Sequence, residues 1–193
     1  MQYYAEAKKF VRESFIKNGK FSDELRHFWR TAYWLKKLYP KADEAMLIAA
    51  VAHDIERAYR KLQPKGYTET KAGFMHRPSM LRHCREGARI VGEFLKKQGA
   101  PPQLIRKVQM MIRGHELGGN KLQNLLKDAD SISYFENQLL PFLTKWAPVA
   151  SESYIRGKFD WIYSRITSRK VKAYAKPMYE KCVRYLNKFY QSR

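Results

Sequence analysis

Apolar residues recur at three- and four-residue intervals through nearly the whole chain, and no segment alternates apolar with polar residues as a strand would. A chain patterned this way buries its stripes helix against helix, which predicts an all-α bundle. Turn residues divide it. The spacing predicts a helix over residues 5–16, closed by Asn18-Gly19. A second is expected over 22–39, favoured at its start by Ser22, Asp23 and Glu24 and followed by Pro40. Asp43 opens a third, ADEAMLIAAVAHDIERAYRKL, whose alanines permit close approach by neighbours and suit a buried central helix. Residues 63–78 hold two prolines and two glycines and read as a long loop, a feature often tied to function. Ser79 is the expected cap of the next helix, which ends at Gly99. Pro101-Pro102 starts another that reaches about Arg113. After Gly118-Gly119 a helix runs through Asp128 to Leu140 and is interrupted by Pro141.

From Ser151 the composition shifts to Lys, Arg, Tyr and Trp, and two further helices are expected near 152–168 and 171–190. At 193 residues the chain can bury one sizeable core, so residues 1–150 read as the main domain and 151–193 as a basic helical extension packed on it. The charge is lopsided: 38 Lys and Arg face 18 Asp and Glu, a net charge of +20. Such a surplus attracts polyanions (nucleotides, phosphorylated metabolites, nucleic acid or an anionic membrane) without choosing among them. Cys84 and Cys182 are too few for a disulfide framework, which points to a reducing compartment. The N-terminal MQYYAEAKKFVRESF lacks the apolar core of a signal peptide, and no run is long and apolar enough to span a membrane. A cytoplasmic protein is the expectation.

Four of the five histidines join acidic residues in an ordered series. It comprises His27 in LRHFW, the adjacent pair His53-Asp54 in AAVAHDIERA, His83 in RHCREGARIV, His115 in MIRGHELGG, and Asp128 and Asp130 in LLKDADSISYF. Imidazole and carboxylate are ligands that divalent metals take. Neighbours on a helix point about 100° apart, so the His-Asp pair can reach two nearby points, its carboxylate bridging two metals and its imidazole binding one. Two metals about 3.5–4 Å apart can clamp a phosphoryl group.

Taken from His27 to Asp130 the order is H…HD…H…H…D, with separations of 26, 30, 32 and 15 residues, and it resembles the HD superfamily of metal-dependent phosphohydrolases. The His83 context, H-x-x-x-G-A-x-x-V, and the Lys-Asp-Ala-Asp ending at Asp130 are similar to that family too, and the likeness covers roughly residues 22–136. The resemblance implies an HD-domain helical bundle holding two divalent metal ions, drawn from Fe, Mn, Ni, Co, Zn or Mg. It assigns His27, His53, Asp54 and Asp130 to the first metal, makes Asp54 the bridge, and gives His83 and His115 to the second. It further implies cleavage of a phosphate ester, in a nucleotide, cyclic nucleotide or other phosphorylated metabolite, by a hydroxide shared between the metals. Asp130 is preferred to Asp128 because the family's ligand directly follows Ala, whereas the apolar phase of Leu122, Leu125, Ala129 and Ile132 lies nearer Asp128.

Beside these ligands, Asp54, Glu56 and Arg57 are the candidate catalytic residues. Arg57, four positions after His53 and on the same face, can grip phosphate bidentately or pair with an acid. Glu56 can support a ligand imidazole from behind. Lys158, Arg165 and Arg169 form a stripe by their spacings of seven and four, with Trp161 as its anchor. That stripe either leans over the site, making Lys158 and Arg165 substrate-binding residues with Arg57, or is a solvated face. Glu116 reads as an ordinary charged helix face, His76 as a surface loop residue and Cys84 as a buried thiol. Two other readings stand beside a phosphohydrolase with a small phosphorylated substrate. The same ligand order occurs in HD-related di-iron oxygenases, and a basic RNA-binding or adaptor protein on an HD scaffold would use the charge of +20.

Overall fold

A computed structural model of the protein describes residues 1–18, 22–60, 75–137, 139, 142–148 and 150–192. Among these every regular element is helical, as the periodicity predicts. In chain order they are α1 (Gln2–Lys17), α2 (Ser22–Leu38), α3 (Glu44–Ala52), the single turn α4 (Glu56–Tyr59), α5 (Arg77–Lys97), α6 (Pro102–Arg113) and α7 (Lys121–Asn137). A π-helical turn over Phe142–Trp146 leads to α8 (Glu152–Ser164) and α9 (Arg169–Gln191). Gly19, most of the 63–78 loop and Pro141 lie outside the described residues.

The hub is α3. Asp43 caps it by accepting the Met46 N–H at 3.1 Å, and every residue from Ala45 to Ala52 is buried. Helices α1, α2, α6 and α7 pack around it, α2 lies along α7, and α5 lies on α6. Helix α8 packs on α9 and α9 on α7, and Phe159, Ile162, Val171, Cys182 and Leu186 lie in the same buried cluster as α3. Among the described residues no helix is long and apolar enough to cross a membrane. Both cysteines are free and buried.

Helix α1 begins at Gln2, three residues before the expected start, and three other boundaries differ from the sequence reading, each for a local reason. The third helix, expected to run through His53-Asp54, ends at Ala52. The His53 imidazole Nδ1 donates to the Ala50 carbonyl at 2.9 Å, the acceptor that a continuing helix would offer to residue 54. The chain then tightens into i→i−3 bonds, Ile55 N to Ala52 O at 3.1 Å and Arg57 N to Asp54 O at 3.0 Å, before α4. Helix α5 begins at Arg77, with Pro78 in its first turn where a missing N–H costs nothing. Ser79 is therefore inside the helix, and its hydroxyl meets His76 Nδ1 at 2.8 Å instead of capping. Finally, α8 stops at Ser164 and α9 starts at Arg169, because the Thr167 and Ser168 N–H groups donate to Asp128 at 2.8 and 2.9 Å.

Candidate metal centre

Helix α2 supplies His27, the turn after α3 supplies His53 and Asp54, α5 supplies His83, the turn after α6 supplies His115 and Glu116, and α7 supplies Asp130. These side chains are buried or nearly so and fall into two groups, His27 with His53 and Asp130, and Asp54 with His83, His115 and Glu116. Within each group one donor atom per residue lies within 4.8 Å of all the others, so each group could hold a metal ion. Asp54 faces both. Its Oδ1 lies 2.8 Å from His83 Nε2 and 3.3 Å from His115 Nε2, and its Oδ2 lies 3.8 Å from His53 Nε2. Asp130 Oδ1 lies 2.9 Å from His27 Nε2 and 3.4 Å from His53 Nε2.

All four imidazoles present Nε2 inward because their Nδ1 protons are committed elsewhere. His53 donates to the Ala50 carbonyl at 2.9 Å and His115 to the Ile112 carbonyl at 2.8 Å. His83 donates to Glu56 Oε2 at 2.7 Å, and His27 to Ser133 Oγ at 2.9 Å. Such outer partners fix the tautomer and ring orientation that metal ligation needs. Among the described residues, buried His53 Nε2 and His115 Nε2 have no well-aligned hydrogen-bond partner, only carboxylate oxygens at 3.4 and 3.3 Å. An unanswered buried polar atom costs about 1–3 kcal/mol, and a divalent cation would answer both. The donor chemistry and these two nitrogens fit a metal.

Basic side chains edge the cluster. Arg57 Nε lies 2.8 Å from Asp54 Oδ2, with 42% of its side chain exposed. Arg165, with 9% of its side chain exposed, reaches Glu116 Oε2 through Nη1, Asp130 Oδ2 through Nη2, and Ser131 Oγ at 2.9 Å through Nε. Trp161 carries Arg165 at 4.8 Å and Lys158 at 5.1 Å from its ring. Burial opposes ionisation of Asp54 and Asp130, yet Arg57 and His53 beside the former, and Arg165 and His53 beside the latter, hold both well below the usual carboxylate range. Burial likewise opposes ionisation of Glu116, but Arg165 and His115 bring it to about 2. Burial, with Arg57 and Arg165 nearby, lowers Lys158 to about 8.

The structure thus brings together all six residues that the resemblance assigns to metals. Glu56 stands one step back, bonded to His83 and, at 2.8 Å, to Arg60, so it positions a ring and does not face the centre itself. Lys158 and Arg165 do lean toward the site, but Arg169 does not extend their stripe: it opens α9 and is exposed. Asp128 is buried and turned to the 167–168 backbone, and His76 pairs with Ser79. Cys84 is a buried thiol, 3.5 Å from His115 Nδ1. The reading of Glu116 as an ordinary charged face does not hold, since it lies within the second group. Its signal was an acid directly after a histidine, as in His53-Asp54. Ser133 carried no comparable signal.

Helix order, the central His-Asp turn and this cluster define an all-α protein of HD-domain-like fold. A crystal structure from an uncultured Thermotogales bacterium, described as a predicted HD superfamily hydrolase, shares the fold with a TM-score of 0.55. It is 19% identical in sequence, over 97% of this chain and 91% of that one. By sequence the chain belongs to the family described as "Domain of unknown function (DUF4202)", which matches residues 5–178. No curated protein matches it.

Proposed function

We propose that this protein is a two-metal phosphohydrolase that cleaves a phosphate ester in a nucleotide, a cyclic nucleotide or another small phosphorylated metabolite. The observation that carries this reading is the pair of adjacent donor groups, Asp54 belonging to one and standing 3.8 Å from His53 of the other, edged by Arg57, Lys158 and Arg165. The description of the Thermotogales protein as an HD superfamily hydrolase supports the same reaction class. His27, His53, Asp54 and Asp130 would hold the first metal, and Asp54, His83 and His115 the second. When bound, the metals supply an activated water and Lewis-acid stabilisation of the phosphoryl oxygens. The remaining work falls to the chain itself. Glu56, Ser133 and the two backbone carbonyls hold the imidazoles in register. Arg57, Lys158 and Arg165 concentrate positive charge where an anionic substrate would enter and orient it.

The test is a screen of phosphomonoesters and phosphodiesters, nucleotides included, against metal-stripped protein resupplied separately with Mn, Fe, Co, Ni and Mg. Phosphate-ester cleavage with at least one metal is expected, and Asp54→Ala should abolish it while the far-ultraviolet circular dichroism stays helical. Oxygen-dependent turnover without ester cleavage would overturn the proposal in favour of a di-iron oxygenase.

A further inference from the structure

We propose that Glu116 is a seventh protein ligand, completing the second metal position with its own carboxylate. The inference rests on the two-metal reading of this site and adds a residue outside the H…HD…H…H…D order. Without Glu116 the two positions are unequal. The first is offered two imidazoles, from His27 and His53, and two carboxylates, from Asp130 and the shared Asp54, whereas the second has His83, His115 and Asp54 alone. With Glu116 the second set, Asp54, His83, His115 and Glu116, has two imidazoles and two carboxylates within 4.8 Å of one another, and the first matches it when Asp54 Oδ2, 3.8 Å from His53 Nε2, is counted with His27, His53 and Asp130.

The local backbone repeats as well. His53 follows the end of α3 and His115 the end of α6, and each ring donates Nδ1–H to the carbonyl three residues back, at 2.9 and 2.8 Å. Each is followed by an acid whose carboxylate oxygen lies 3.8 Å from the ring's Nε2. The same turn therefore delivers an imidazole and a carboxylate to each side of the centre.

Arg165 shows how the two unshared carboxylates divide their oxygens. Asp130 gives Oδ2 to Arg165 and turns Oδ1 toward His27 and His53. Glu116 gives Oε2 to Arg165 and turns Oε1 toward His115. Were Glu116 present only to anchor Arg165, nothing would require its second oxygen to face the imidazoles. Two carboxylates and two imidazoles make a donor set suited to manganese or iron, harder than a histidine-dominated one.

The experiment titrates metal-free full-length protein with Mn2+ alone, following free Mn2+ by electron paramagnetic resonance, and records the visible spectrum of the Co2+ form. Wild type should take up two ions. Glu116→Gln should weaken one of them at least tenfold, leave the other within threefold, and change the Co2+ ligand-field bands. Arg165→Met takes an outer partner from both Asp130 and Glu116, so it should weaken both ions to a similar extent, and the second less than Glu116→Gln does. Circular dichroism checks folding, and should Glu116→Gln not fold, Glu116→Asp carries the same comparison. Equal affinities in wild type and the Glu116 variant would overturn the proposal while leaving the two-metal reading intact. So would a loss in Arg165→Met matching that in the Glu116 variant, since Glu116 would then act only through Arg165. Uptake of fewer than two ions by wild type would overturn both readings.

Discussion

Ser133 Oγ accepts the Nδ1 proton of His27 at 2.9 Å and gives its own proton to the His27 carbonyl at 2.8 Å. One hydroxyl on α7 thereby fixes both the ring and the backbone of a residue on α2, across the packing of those two helices. The exchange settles the tautomer: Nδ1 is the donor, and Nε2 is left to face Asp130 and His53.

Ser133→Ala removes both bonds without altering the ligand set. Metal affinity at the first position should fall by about 10–100-fold, the usual effect of losing an outer partner of a ligand imidazole. Stability should fall by about 1–3 kcal/mol, because a buried N–H and a carbonyl lose their partner. Mn2+ titration and thermal melting measure the two effects separately. Wild-type affinity in the variant would mean that packing alone holds the ring.

Asp128 and Asp130 should separate cleanly. Asp130→Asn is expected to lose the first metal and turnover, since Asp130 Oδ1 faces two imidazoles. Asp128→Asn should keep both metal and most activity but melt earlier, because its carboxylate receives the Thr167 and Ser168 N–H groups. An amide can accept there through only one of its two atoms. Loss of metal in Asp128→Asn would reverse the assignment.

Gly87 closes the H-x-x-x-G motif for a steric reason. A Cβ there would stand 3.3 Å from the His53 carbonyl, on the turn that carries the His-Asp pair. Gly→Ala inside a helix ordinarily gains about 0.5–1 kcal/mol, while overpacking a tight contact costs about 1–3 kcal/mol. The contact should prevail, because its partner is backbone at the end of a buried helix. Gly87→Ala should therefore lower the melting temperature and weaken metal uptake. A raised melting temperature with unchanged uptake would show that the turn can yield.

The sequence carried the centre better than it carried the supports. Periodicity predicted the all-helical fold, and the alanine-rich run predicted a buried central helix. The ordered histidines marked positions that the structure assembles. Helical phase, which lay nearer Asp128, carries little weight here, because every residue from Leu126 to Phe135 is buried. A helix covered on all sides has no solvent face against which to set a phase. The break at His53 was hidden for a different reason: it comes from an imidazole competing for a backbone carbonyl, and the surrounding apolar pattern continues through it. Arg169 was misplaced because the α8–α9 turn is set by Asp128, some forty residues earlier in the chain. Ser133 is a serine on a buried helix, with nothing in the linear pattern to connect it to His27.

Lys158 supplies a pH test of the substrate role. Burial is the largest influence on its ammonium, and Arg57 and Arg165 add to it against the opposing pull of Glu116 and Asp54, bringing it to about 8. The side chain is therefore charged below about pH 8 and neutral above. If the charged form grips phosphate, kcat/KM should decline as pH rises through that value, since this parameter reports groups of the free enzyme. A phosphodiester substrate keeps the ligand's own charge constant over the range. Lys158→Arg, whose guanidinium stays charged throughout, should move the alkaline limb to higher pH. Lys158→Met should lower kcat/KM by about 10–100-fold on the acid side, as expected for a charged hydrogen bond worth about 1.5–3 kcal/mol, and should flatten the limb. Raising the salt concentration would shrink a merely long-range field effect but leave a direct contact largely in place. An alkaline limb unmoved in Lys158→Arg, with Lys158→Met close to wild type, would assign the decline to another group and remove Lys158 from the substrate site.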